Sequence, residues 1–146
     1  MTGGNRRISV LVPVFDAERY LGEALDSALS QSVPPSEVVV VDDGSRDGSL
    51  RVAASFGERV RVVRQAHAGI GAARNRLVSE ASGDWLAFLD ADDRWTPTAL
   101  AAHLAALETR PRADAALGRV VQFVSPELPE AARALLACPE GPMPGA

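Results

Sequence analysis

An α/β fold, with an open, mostly parallel sheet flanked by helices, is what this sequence predicts. Two observations carry the prediction. Short apolar or β-branched runs alternate with segments of helical spacing in the order β-α-β-α-β-α-β-α, the pattern of a doubly wound sheet. The runs also close on polar residues, several of them acidic, and in such sheets ligands sit at the carboxyl ends of the strands.

The elements follow in order. Ile8 to Val14, "ISVLVPV", is an apolar run short enough for a strand buried on both faces. Leu21, Ala24, Leu25, Ala28 and Leu29 then repeat at the spacing of one helix face. "EVVVVDD", Glu37 to Asp43, is the second strand, and Asp47 to Ser55 a short helix. Arg59 to Arg64 reads as the third strand, and "GIGAARNRLVSEASG" as a helix that stops near Gly83. Asp84 to Asp90 is the fourth strand. The last clear helix opens at "TPTALAAHLAALETR", where Thr96 suits the N-cap and Pro97 the first turn. On this plan Asp42, Asp43, Asp90, Asp92, Val14, Phe15 and Asp16 should all rim one crevice.

Past Arg110 the pattern weakens. "ADAALGRVVQFV" is compatible with one more strand, "PELPEAARALLA" with a short helix, and "CPEGPMPGA" with no regular element. The expected organisation is a tail over 1–7, a domain over 8–125, and a helix with a Pro/Gly-rich tail over 126–146 that begins a missing C-terminal part. A truncated form of the fold is therefore expected.

Composition removes several classes of function. At 146 residues, 47% of them apolar, the chain can bury a single core. Its net charge is −4 and its arginines are dispersed, so a basic nucleic-acid-binding face is not expected. The sequence holds no lysine, which excludes a P-loop, a Schiff base and a receiver-type switch. The single cysteine, Cys138, cannot form an intramolecular disulfide and reads as an apolar filler. No stretch approaches the roughly 18 apolar residues of a membrane span, and no signal-peptide pattern is present. A cytoplasmic location is expected.

Three stretches carry chemistry. "FLDADDRW" gathers Asp90, Asp92 and Asp93 behind an apolar run. Their mutual repulsion raises the carboxyl pKa values unless a cation offsets it, and Mg2+ or Mn2+ takes such oxygen ligands together with substrate phosphates. Alternation along an extended segment would turn Asp90 and Asp92 to one side; a plain turn before the next helix explains one Asp but three poorly. "VVVVDDGSRDGS" fits equally a ligand-facing carboxylate or an Asp-Gly turn with Asx bonding. "HAGIGAARN" places Gly69 and Gly71 at a helix N-terminus, a setting that favours anions, with Arg74 one turn in.

Taken together, "ISVLVPVFDAERYLGEALDSALSQS", "EVVVVDDGSRDGS", "HAGIGAARN" and "GDWLAFLDADDRWTP", in that order, resemble the family 2 glycosyltransferases over about Ile8 to Pro111. That resemblance implies the GT-A (Rossmann-like) fold and transfer of a sugar from a nucleotide-diphosphate donor, a UDP-sugar, to an acceptor the sequence does not identify, with inversion. Asp90-Ala91-Asp92 matches the D-x-D motif. By resemblance Asp92, with Asp90, ligates Mn2+ or Mg2+, and Asp90 also contacts the ribose. Asp43 binds the base, Pro13, Val14 and Phe15 line the nucleotide pocket, and Arg74 meets the diphosphate or donor sugar. The general base is expected beyond Ala146.

Asp16 departs from the family's frequent Asn, and His67 from a common polar residue. His67 could touch phosphate, but a loop histidine without metal-ligand spacing is more often structural or solvated. His103 and Trp85 are expected to pack. Trp95 either stacks on a sugar or covers the helix start. The competing reading is a nucleotide-binding module without turnover, since the acceptor half is absent. A sugar nucleotidyltransferase is disfavoured because "LVPVFDAERYL" lacks a Gly-rich basic loop. Apolar surface left open in a truncated form also makes a homodimer a candidate.

Overall fold

The computed structural model describes residues 7–110, 112–118 and 120. The chain divides after Ala116, and every element below belongs to the first unit. In chain order these are β1 (Ile8–Val14), α1 (Glu18–Leu29), β2 (Glu37–Asp42), α2 (Ser49–Ala54), a 3-10 turn (Gly57–Arg59), β3 (Arg61–Arg64), α3 (Ile70–Glu80), β4 (Trp85–Phe88) and α4 (Ala99–Glu108). The sheet runs β3-β2-β1-β4, with every pairing parallel. Order therefore reverses at β1, and the carboxyl ends of β1 and β4 diverge there, which is where open α/β sheets bind ligands.

Strand alternation sorts the core into two layers. Val10, Val12, Val14, Val38 and Val40 face Leu21, Ala24, Leu25 and Ala28 of α1, together with Ala53 and Leu100. Leu11, Val39 and Val41 face Ala73 and Leu77 of α3. Because helices cover both faces, β1 and β2 are apolar at nearly every position, as parallel central strands must be. Leu21 and Leu25 are fully buried, each worth about 1.5–3 kcal/mol, so α1 is held by its apolar stripe.

Burial on both faces, expected for four strands, holds for two. β3 and β4 are edges, and on β4 Leu86 and Phe88 stay 41% and 43% exposed, on the same side as α3. They are also shorter than expected. Arg59 belongs to the 3-10 turn, and β4 ends at Phe88 because the chain turns away at Asp90. The helix α3 stops at Glu80, and the return to β4 passes Gly83, whose N–H donates to Ser9 Oγ at 2.8 Å. A Cβ there would stand 2.7 Å from both the N and Oγ of Ser9, so the close approach admits only glycine.

The last helix starts later than expected. Its N-cap is Thr98, and that side chain makes no capping bond. Thr96 precedes the cap; its carbonyl accepts from Gln31 Nε2 at 2.7 Å, while Pro97 C=O accepts from Ser32 N. The cap comes from another segment. Gln31 Oε1 accepts from the buried Leu100 N–H at 3.0 Å, so a glutamine at the end of α1 fixes the start of α4.

Among the described residues after Arg110 there is no regular element. The described part of the strand expected from Ala113 is not a strand; the rest of it, and all of the helix and tail after it with Cys138, lie outside the described residues. No helix among the described residues is long and apolar enough to cross a membrane.

Candidate functional site

At the switch point lies a crevice of about 460 Å3, within the usual range for small-molecule sites. Its first wall is the end of β1. Val14 C=O accepts from Asp43 N and Leu11 C=O from Leu89 N, so even-numbered residues of β1 bond toward β2 and odd-numbered ones toward β4. Pro13 is the next odd position, and β4 pairs with β1 only as far as Leu11. A proline in a central strand normally forfeits a ladder bond; here its missing N–H faces the gap that β4 has vacated, and nothing is lost.

The chain then turns sharply at Asp16, whose φ is 47°, a conformation that Asp and Asn tolerate best among residues with a side chain. Its carboxylate accepts from Arg46 N at 2.7 Å, so the charge added to the pocket rim is already engaged. The turn is stitched to the loop after β2. Ser45 Oγ accepts from Asp16 N at 3.0 Å, Ser49 Oγ from Ala17 N at 2.8 Å, and Asp47 Oδ2 from Glu18 N at 2.9 Å. Those three N–H groups are ones the start of α1 cannot satisfy itself. The polar residues of "DDGSRDGS" thus cap α1 across the crevice floor.

Asp43 forms the second wall. It is 2% exposed, and its carboxylate is the meeting point of four donors. Oδ1 accepts from Gln65 Nε2 at 2.7 Å and Ala68 N at 2.9 Å; Oδ2 accepts from Gly69 N at 2.8 Å and His67 Nδ1 at 2.9 Å. Burial pushes this carboxyl up, but the bonds from Gln65, Ala68 and Gly69 and the charge of His67 outweigh it and hold the pKa below the ordinary value. The N–H groups of Ala68 and Gly69, which lead into α3, are thus taken by a carboxylate from within the chain. Gly44, next along, has φ +78° and would place a Cβ 3.0 Å from His67 N, which lets the 65–69 loop close down on the end of β2.

His67 lies at the mouth. Its ring stacks on Phe15 with centroids 4.2 Å apart and planes 28° apart. Nδ1 is also 3.1 Å from Asp43 C=O; both of its neighbours are acceptors, so Nδ1 carries the proton.

The third wall is the acidic turn. It is not extended: Asp93 N donates to Asp90 C=O at 3.0 Å, closing a turn over 90–93. Asp90, Ala91 and Asp92 still line the crevice, whereas Asp93 is not among its lining residues. Across the crevice Arg74 Nη2 meets Asp90 Oδ1 at 2.9 Å, both side chains about half exposed. Asp93 is pushed up by burial and by the charges of Asp92 and Asp90, so the repulsion in this turn is only partly relieved. Among the described residues no group of three His, Cys, Asp or Glu side chains forms a metal cage. Two carboxylates are what Mg2+ or Mn2+ commonly takes from a protein when waters and substrate phosphates complete the shell, and Asp90 and Asp92 are the two carboxylates of this turn that line the crevice.

Pro13, Val14, Phe15, Asp16, Asp43, Arg74, Asp90, Ala91 and Asp92 therefore share one crevice. Asp42 does not. It points with Val38 and Val40 toward the α1 face, 1% exposed. Neither carboxylate oxygen has a hydrogen-bond partner among the described residues, with Arg64 Nε at 3.5 Å. Strand alternation gives the reason: of two consecutive Asp residues only one can face the site. Tyr20, Ile70 and Ala73, which also line the crevice, carry no sequence signal beyond helical spacing. Trp95 packs against the core, with its N–H on Ser27 Oγ at 3.1 Å, and so covers the helix start.

A parallel sheet of order β3-β2-β1-β4, with an acidic turn after β4 facing the end of β1, belongs to the GT-A fold that the similar solved structures below share. The chain belongs to glycosyl transferase family 2, whose family model matches residues 9–137. It is 41% identical over 90 residues to glycosyltransferase GlyA of Streptococcus pneumoniae, covering 60% of this chain and 13% of that protein. Two solved structures are similar. TarS of S. aureus, in complex with UDP, shares 31% identity and a TM-score of 0.66, covering 72% of this chain and 33% of that one. The mannosyltransferase PcManGT of Pyrobaculum calidifontis, in complex with GDP-Man and Mn2+, shares 28% identity and a TM-score of 0.67, with the same coverage. This chain thus spans about a third of the length of those structures.

Proposed function

We propose that the chain is the donor-binding part of an inverting, metal-assisted glycosyltransferase that uses a UDP-sugar. The observation that supports this best is the convergence of an aromatic and apolar wall, a carboxylate wall and a facing Arg–Asp pair on one crevice at the switch point of the sheet. The likeness to proteins described with UDP and with GDP-Man and Mn2+ supports a nucleotide-diphosphate sugar as donor.

Glycosyl transfer breaks the bond between the anomeric carbon and the diphosphate, and negative charge builds on the departing group. Arg74 offers a guanidinium for that charge, positioned beforehand by Asp90 at 2.9 Å. Asp92 and Asp90 would hold Mn2+ or Mg2+, which supplies Lewis-acid stabilisation of the same diphosphate when bound. Phe15 presents a ring to the base, Asp43 the acceptor for a base N–H, and Pro13 and Val14 the floor beneath it. Phe15 and Asp43 directly follow β1 and β2, and those strands, buried on both faces, hold them in place.

Calorimetric titration of the chain with UDP and with GDP, each with and without Mn2+, tests the reading. The expected result is Mn2+-dependent binding of UDP that Asp92→Ala abolishes while the chain stays folded. Equal UDP affinity in that variant would remove the acidic turn from the site.

A further inference from the structure

The crevice is lined for a nucleobase, yet its aromatic face and its acceptor are both engaged by one side chain. The His67 ring covers Phe15 at 4.2 Å, and its Nδ1–H bonds Asp43 Oδ2 at 2.9 Å. Stacked bases are spaced at about 3.4 Å, so a base entering between the two rings would have to push them well apart. A carboxylate has about four lone-pair directions, and on Asp43 all four are filled.

From this we infer that His67 occupies the nucleobase place and must swing out for the base to bind, so that it sets the nucleotide affinity of the pocket. The inference rests on the donor-binding reading above and deepens it. Of the four donors on Asp43, two are backbone N–H groups fixed by the loop that opens α3, and Gln65 is partly buried. His67 is the one whose side chain is 54% exposed and free to rotate into solvent. The arriving base makes an equivalent exchange: its ring replaces the imidazole on Phe15, and its N–H replaces Nδ1–H on Asp43. Apparent affinity is reduced in proportion to the fraction of molecules with His67 already out, so His67 weakens binding of anything that carries a base and leaves untouched anything that carries only the diphosphate.

Titrating UDP, GDP and inorganic pyrophosphate, each with Mn2+, into the unaltered chain and into His67→Ala tests this, with NMR of the histidine ring protons as a second readout. His67→Ala is expected to bind UDP about tenfold more tightly, a gain of about 1.4 kcal/mol, with pyrophosphate affinity unchanged. In the unaltered chain, UDP should move the His67 ring signals out of the Phe15 ring current and toward those of a solvent-exposed imidazole. Unchanged or weaker UDP binding by His67→Ala overturns the inference, because His67 is then a wall of the site or a bystander. If neither protein binds UDP or GDP while the ring signals still report the stack on Phe15, the donor-binding reading itself fails and takes this inference with it.

Discussion

Replacing Asp43 with Ala removes the acceptor on which Gln65, His67, Ala68 and Gly69 converge, and the cost can be worked from which donors can find another partner. Gln65 and His67 are side chains that can turn to water, so their loss is small. The N–H groups of Ala68 and Gly69 are fixed by the chain that enters α3, and each loses a bond to a charged acceptor, worth about 1.5 kcal/mol or more. Asp43→Ala is therefore expected to cost about 3 kcal/mol, whether or not any nucleotide is present. The cost also depends on pH. The native pKa of Asp43 is depressed, so its contribution is fully present above the unfolded-state value of about 3.9. It is lost as pH falls from there through the lower native value. Urea denaturation of the unaltered chain and of Asp43→Ala at pH 7 and at pH 3 reads both effects: a gap of about 3 kcal/mol at neutral pH that narrows in acid. A neutral-pH gap below about 1 kcal/mol, or one that does not narrow in acid, would refute the account of Asp43 as the cap of α3.

Other perturbations have equally definite outcomes. Gln31→Ala strips the buried Leu100 N–H of its acceptor and should destabilise by about 2 kcal/mol in urea titration. Thr96→Ala, which removes a side chain that caps nothing, should stay within about 0.5 kcal/mol; the reverse ranking would restore Thr96 as the cap. Gly44→Ala must adopt φ +78° against His67 and should lower the midpoint by the equivalent of at least about 1–2 kcal/mol. Asp93 has a raised pKa, so the folded state loses stability as pH rises through it. Asp92→Asn should relieve part of that and stabilise the ligand-free chain slightly at neutral pH, and thermal scans at pH 4 and pH 7 would show the difference.

Sheet class, strand order along the chain and the helical face of α1 were legible because burial writes a period into the sequence: Val10, Val12 and Val14 against Leu21, Ala24, Leu25 and Ala28. The convergence of Phe15, Asp43, Asp90 and Asp92 was legible for a related reason, since carboxyl ends of parallel strands meet by topology alone; Arg74, on α3, was pointed to only by the family resemblance. What stayed hidden depends on partners remote in sequence. Nothing near Thr96 announces that its carbonyl belongs to Gln31, 65 residues away. Nothing in "DDGSRDGS" announces that Ser45, Asp47 and Ser49 serve the start of α1 and not a ligand. Asp42 and Asp43 look equivalent until strand parity is fixed. The edge character of β3 and β4 was missed because an edge differs from a centre only in what lies beside it.

The reversal of strand order at β1 also dictates when in folding the crevice comes into being. β1, β2 and β3 are successive neighbours, so they can assemble progressively from the N-terminal end. β4 must return across the chain to β1, closing contacts such as Arg7 to Asp84 over 77 residues, at a loop-closure cost that the earlier pairings do not meet in full. The acidic turn arrives with β4, and until then the wall formed by Phe15, His67 and Asp43 has no carboxylates facing it. A molecule that has built every other part of this sheet is still blind to a ligand that needs both sides, and nucleotide binding would act as a proofreader of its last strand.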